Sequence, residues 1–200
     1  MSIRRSLYAT ALAALILGAL ASPAAAEKVF KRANDLSFGG SESMDPLSPN
    51  RFYEVNDMIY SRLVRQDDKG EPAPELATKW TANETATEWT LELQPGVKFH
   101  DGSDFDATDV KYSLERIKDP ALESPVASVL GIIDHVEVIN PLTAKIVLSS
   151  PHAGLPVLLL DYRVRMIADN SGPTIEKTGN GTGPFKLESY DPEGTTVLVA

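Results

Sequence analysis

The stretch GVKFHDGSDFDATDV, residues 96 to 110, sets His100 beside Asp101 and follows the pair with Asp104, Asp106 and Asp109. A histidine among carboxylates is the raw material of general acid–base catalysis or of a metal site. Neither chemistry finds its spacing here. A calcium loop needs glycine at its sixth position and a bidentate glutamate at its twelfth. Counting from Asp101 the sixth residue is Asp106, and counting from Asp104 it is Asp109. A catalytic zinc needs three protein ligands, yet His135 and His152 stand at no ligand spacing from His100. Adjacent side chains on an extended backbone also point to opposite faces, which parts His100 from Asp101.

The same residues make sense as a turn and a helix start. An aspartate side chain can bond the backbone two residues on and glycine tolerates positive φ, so His100-Asp101-Gly102-Ser103 reads as a turn. Asp106 is placed to cap a helix over residues 107 to 118, with Asp109 three residues later to answer the cap and the helix dipole. Ala107, Val110, Leu114 and Ile117 form its buried stripe, and Asp119-Pro120 ends it. No catalytic residue, metal ligand or cofactor is therefore expected. The run GNGTGPF has no following helix to face a phosphate, no G-x-S-x-G elbow occurs, and the chain has no cysteine.

The surrounding elements are mixed. A short strand, Val29 to Ala33, runs into the loop Phe38 to Met44, rich in glycine and serine, and Phe52, Val55, Ile59 and Leu63 then suggest a helix over 51 to 62 behind Asn50. A brief strand, a turn at residues 67 to 70, and an extended segment held by Pro72 and Pro74 come next. Leu76, Ala77 and Trp80 read as a short helical turn, and Trp89, Leu91 and Leu93 as one face of a half-buried strand. HVEVINPLTAKIVLSS has the form of a hairpin turning at Asn140-Pro141. LPVLLLDYRVRMIA fits helix or strand, and a strand Phe185 to Tyr190 turns at residues 191 to 194 into the apolar TTVLVA. That last run stops without turn or polar cap and reads as a strand cut in mid-course, so the chain is expected to be the front of a longer protein. No βαβ alternation is regular, so the fold class expected is α/β, a mixed α+β arrangement.

The first twenty-six residues read as an export signal: Arg4 and Arg5 precede an apolar run too short to span a bilayer, and Ala24-Ala25-Ala26 offers a cleavage site after Ala26. Without those two arginines the formal charge falls from −9 to −11, and basic clusters for phosphate contacts are lacking, so no nucleic-acid partner is expected. An exported chain free of cysteine is expected to be a soluble periplasmic protein.

PELATKW, then WTLELQPGVKFHDGSDFDATDVKYSLERI, then the hairpin, and finally GTGPFKLESYDPEGTTVLVA together resemble the solute-binding proteins of ABC transporters, in the peptide/nickel family, family 5. Gly96, Val97, Phe99, His100, Asp101, Gly102, Ala107, Asp109, Val110, Ser113 and Arg116 fall where that signature puts them. TANETATE departs from it by lacking the glycine usual in the preceding hairpin turn, and Gln94 stands for the common arginine. The resemblance implies a two-lobed periplasmic binding protein without enzymatic activity, its second lobe lying beyond Ala200. On that pattern residues 27–59 and 179–200 belong to the first domain and residues 60–178 to a small second domain. It further implies a monomer that captures a small-molecule or peptide ligand between its lobes and delivers it to an ABC transporter permease in the inner membrane. Gly40, Ser41, Glu42, Ser43 and Met44 are the expected ligand contacts of this lobe, with Glu42 placed for a ligand ammonium group. The same fold in the family takes nickel chelates, haem, opines and oligosaccharides. A secreted metal-dependent hydrolase centred on His100 is the competing reading.

Overall fold

The computed structural model describes residues 41–51 and 53–200. The expected export signal, the strand Val29 to Ala33 and Gly40 lie outside them. Helix α1 (Tyr53–Ile59) leads to the antiparallel pair β1 (Val64–Gln66) and β2 (Pro72–Pro74), joined by the expected turn, in which Gly70 N–H bonds the Asp67 carbonyl at 3.0 Å. Strands β3 (Ala77–Ala82) and β4 (Glu88–Leu93) follow, then α2 (Ala107–Glu115), a short helix α3 (Ala127–Leu130), and the hairpin β5 (Ile133–Asn140) and β6 (Thr143–Leu148). Helices α4 (Leu155–Leu158) and α5 (Gly172–Thr178) precede a second antiparallel pair, β7 (Lys186–Ser189) and β8 (Val197–Val199).

The central sheet is antiparallel in the order β3-β4-β6-β5. Trp89 stands opposite Ile146, which stands opposite Val136, so the apolar residues of three strands meet on one face. Helix α2 covers that face with Ala107, Val110 and Leu114, all fully buried. Each such leucine or isoleucine withdrawn from water contributes about 1.5–3 kcal/mol before chain entropy is counted. Helix α2 starts as its sequence dictates. Asp106 is extended at φ −143°, its side chain accepts from Thr108 N–H at 2.6 Å, and its own N–H is held by Asp109 at 2.7 Å, which completes a capping box. The α-helix closes at Glu115 and tightens into a 3-10 turn over Arg116–Lys118.

A second, smaller core joins Met44, Val55, Ile59 and Tyr60 to Ile167 and Ile175, with Leu187, Tyr190 and Leu198 packed at its margin. The stretch after α4 links the two cores, since Val164 and Met166 belong to the first and Ile167 to the second.

Three expectations change. Residues 76 to 80 are not a helical turn. Leu76 and Ala77 bond Arg62 and Leu63, Ala77 opens β3, and a register shift between Ala77 and Lys79 breaks the strand alternation into a spacing that imitates a helix. Helix α1 is shorter than 51 to 62: the Met58 and Ile59 carbonyls accept from Phe185 and Gly183, so the next turn has no acceptors. Leu63 is buried in the first core rather than on a helical stripe. Helix α5 was not anticipated, although Pro173 near its start and Gly179 at φ +54° past its end are ordinary start and stop signals.

Candidate functional site

The loop before α1 closes on itself. Ser43 N–H bonds the Asn50 carbonyl at 3.0 Å, and Ser43 forms a parallel bridge with Arg51. Met44 anchors it: the side chain is fully buried, the N–H donates to the Glu176 carbonyl at 3.1 Å, and the carbonyl accepts from the Tyr60 hydroxyl at 2.9 Å. Asp45 takes two bonds from Arg116 of the following 3-10 turn, and both side chains are nearly out of water. The Tyr190 hydroxyl donates to the Glu42 carbonyl. Of the expected contacts, Ser41 is exposed, Glu42 and Ser43 are half-buried, and Met44 serves the interior.

Beside this loop stands a cluster that sequence reasoning did not single out. The Arg51 guanidinium lies 4.2 Å from the ring centroid of Tyr53 and 4.9 Å from that of Tyr162. The two rings stack with centroids 5.5 Å apart and 26° between planes. Arg51 is 4% exposed, but the tyrosines are 41% and 42% exposed. Its Nη2 donates to the Tyr162 hydroxyl at 2.6 Å and its Nη1 to the Ser48 carbonyl at 3.1 Å, while Nε is buried with no acceptor. Tyr162 is turned outward by a tight turn in which Val164 N–H bonds the Asp161 carbonyl at 2.9 Å. Asp161 also grips Arg163, whose guanidinium lies 5.3 Å from the Tyr162 ring. Burial opposes the Asp161 charge, yet the Arg163 bonds and the Arg51 and Arg163 charges hold its carboxyl below the ordinary range. The Tyr53 phenol is raised above its ordinary range, first by its bond with Tyr162 and then by burial. An arginine and a tyrosine just outside the apolar stripe of α1, and DYR in the stretch of unsettled structure, were the available signals.

His100 is placed for a different task. Gly181 N–H donates to Nδ1 at 3.3 Å, so Nδ1 is the acceptor and Nε2–H reaches the Gly183 carbonyl at 2.9 Å. His100 N–H bonds the Gly181 carbonyl at 2.9 Å, and Asp101 and Asn180 exchange bonds at 3.1 and 2.8 Å. The expected turn is present, with Ser103 N–H on Asp101 Oδ1 at 2.9 Å and Gly102 at φ +91°. The imidazole thus fastens the 96–110 stretch to the glycine-rich segment that follows α5. Among the described residues no group of three or more His, Asp or Glu side chains could hold a metal ion. A cavity of about 480 Å3 opens beside this latch, lined in part by Asp101, Asp169 and Lys186, and it does not include the loop before α1.

The model of the bacterial extracellular solute-binding proteins, family 5, matches residues 71–200. The chain belongs to that family. Among curated family 5 relatives, the glutathione-binding protein GsiB of Shigella flexneri is 30% identical over 154 residues, covering 70% of this chain and 30% of the relative. Among solved structures, the murein tripeptide binding protein MppA of Escherichia coli is 27% identical with a TM-score of 0.67, covering 78% of this chain and 35% of that one. NikA of Brucella suis in complex with Fe(III)-EDTA is 25% identical with a TM-score of 0.70, covering 84% and 34%. The architecture is the mixed α/β class of these two-lobed periplasmic binding proteins, and this chain spans about a third of their length.

Proposed function

We propose that the protein is the periplasmic solute-binding component of an ABC importer, which captures a peptide-like small molecule and delivers it to the membrane permease. The observation that carries this reading is the open aromatic surface of Tyr53 and Tyr162 beside the Ser41–Ser43 loop, in a chain of family 5. Stacked, half-exposed tyrosines give a flat apolar floor with polar rims, which suits a small solute carrying amide groups. Gly40, Ser41, Glu42 and Ser43 supply the polar contacts of this lobe, and Met44 anchors the loop that follows in the interior. On this reading residues 27–59 and 179–200 belong to the first domain and residues 60–178 to a small second domain. Capture is then a closure of two lobes driven by contacts the solute makes only when both meet it. The protein works as a monomer, without cofactor or catalysis.

GsiB and MppA bind glutathione and a murein tripeptide by name, which favours peptide-like solutes, while NikA with Fe(III)-EDTA keeps a metal chelate as the second reading. Native mass spectra of the intact protein, taken from its own periplasm without unfolding, decide between them. Extra masses matching short peptides support peptide capture. A single metal-chelate mass replaces it with the second reading, and a protein that carries no solute and is stabilised by none overturns both.

A further inference from the structure

We propose that Arg116 is a positioning residue for solute capture: its guanidinium, clamped on Asp45, sets the loop before α1 against helix α2 and so fixes Ser41, Glu42 and Ser43 for the solute. This deepens the importer reading and rests on it.

Helix α2 carries two stripes. One, made of Ala107, Val110 and Leu114, is apolar and lies on the sheet. The other is polar, made of Asp109, Tyr112 and Ser113 and continued by Arg116 in the 3-10 turn, at the spacing that shares a helix face. This row grips the backbone of residues 167 to 172. Asp109 accepts from Asp169 N–H at 2.8 Å, and Tyr112 Oη accepts from Gly172 N–H at 3.0 Å. Ser113 Oγ donates to the Ile167 carbonyl at 3.1 Å and accepts from Ile167 N–H at 2.9 Å. Arg116 ends the row, but its partner is Asp45, 71 residues back in the chain. A Cβ on Gly172 would lie 2.8 Å from Arg116 Nε, so the guanidinium is confined between the start of α5 and the loop.

Asp45 is the hub of that loop. Its N–H donates to Ser43 Oγ at 3.1 Å, its carbonyl accepts from Ser48 N–H at 3.1 Å, and its Oδ1 accepts from Leu47 N–H at 2.9 Å. Arg116 Nη1 holds the same Oδ1 at 3.0 Å while Nη2 holds Oδ2. Two parallel bonds between a planar guanidinium and a planar carboxylate fix distance and angle together. Ser43 is bonded to Asp45 and two residues from it, so the orientation of the carboxylate passes directly to the expected contacts. The two side chains are only 9% and 10% exposed. A buried ion pair gives little stability that apolar packing of the same volume would not also give, so stability alone does not account for it. Direction is what the pair adds. The ties from Tyr60 and Tyr190 to the Met44 and Glu42 carbonyls are single bonds through rotatable hydroxyls.

The test compares the intact protein with Arg116→Gln, Arg116→Lys and Asp45→Asn by two readouts. One is amide hydrogen exchange, resolved for residues 41–51 and for β4 and β6; the other is calorimetry with glutathione and trialanine. Arg116→Gln is expected to speed exchange across the loop by about tenfold or more, to leave β4 and β6 at the parent rate, and to weaken both probes by roughly 10- to 100-fold. Arg116→Lys keeps the charge without the planar fork and is expected to fall between parent and Arg116→Gln in both readouts. Asp45→Asn is expected to match Arg116→Gln, and the double variant to bind no more weakly than either alone, since the pair acts as a unit. Should removal of either partner prevent folding, Arg116→Lys carries the test. Parent-like probe affinity in a folded variant overturns the proposal, as does exchange that rises equally in loop and sheet, the mark of a general loss of stability. Both outcomes leave the importer reading standing. A parent that takes up neither probe also overturns the proposal, and the importer reading is then decided separately by the solute that travels with the native protein.

Discussion

A Cβ on Gly181 would lie 1.8 Å from the carbonyl oxygen of Ile59, and one on Gly183 would lie 2.5 Å from that of Met58. The glycine-rich segment therefore runs against the end of α1 at a distance only a bare backbone allows. The contact is anchored by hydrogen bonds from Gly183 to Ile59 at 2.9 Å and from Phe185 to Met58 at 3.2 Å. Gly181→Ala forces backbone against backbone, where neither side has a rotamer to yield. The expected loss is about 3 kcal/mol or more, read as the shift in urea midpoint. A variant as stable as the parent would mean that the segment is free to move away.

The same segment is held from its other side by His100. Replacing the imidazole with alanine strips Gly183 of a donor and Gly181 of an acceptor at a half-buried site. His100→Ala is expected to lower stability by about 1–2 kcal/mol and to leave solute affinity within a factor of two of the parent. Loss of a hydrolytic activity in this variant, with unchanged stability, would restore the competing reading of the histidine as a chemical group.

Much of this was legible. The capping box at Asp106 and Asp109, the alternation of Trp89, Leu91 and Leu93, and the hairpin turning at Asn140 are local matters, set by residues a few positions apart. Residues 76 to 80 deceived because a bulge between Ala77 and Lys79 destroys the two-residue period that marks a strand. The partners of His100 and Arg116, eighty-odd and seventy-odd residues away in the chain, leave no local trace. The candidate site was the least legible part, because Arg51 and Tyr162 are 111 residues apart and each alone is an ordinary surface type. The serine-rich loop is legible as a loop, but burial of Met44 and the cation beside it are properties of the fold.

Ala86 occupies the left-handed region at φ +53° in the turn between β3 and β4. A Cβ there presses on the following carbonyl, at roughly 1 kcal/mol for an ordinary residue. Asn83 compensates in part, its side-chain oxygen accepting from Thr87 at 2.9 Å and Glu88 at 3.2 Å. Ala86→Gly relieves the strain at some expense in unfolded-chain entropy, so a gain of about 0.5 kcal/mol is expected in thermal unfolding. A decrease would show that the turn tolerates the alanine through its bonding.

Asp109 couples α2 to the segment before α5, since its carboxylate accepts from Asp106 N–H at 2.7 Å and from Asp169 N–H at 2.8 Å. Burial pushes its pKa up to about 6, against the pull of those two bonds. A raised carboxyl favours the folded state most when protonated, so its contribution is complete below the ordinary value near 3.8 and is lost as pH rises through 6. Stability is therefore expected to increase as pH falls from 7 to 5. Asp101 and Asp161, whose pKa values are lowered, act in the opposite sense only at more acidic pH, below their ordinary range. Asp109→Asn removes the titration and one of the two acceptors, so it lowers the absolute stability and reduces the slope between pH 7 and 5 to the part that His135, raised by its bond with Asp134, supplies in the same sense. Urea midpoints of parent and variant at pH 7, 6 and 5 measure that slope. Parallel lines would place the proton elsewhere, and a parent that weakens steadily across this window would mean that the two backbone bonds outweigh burial.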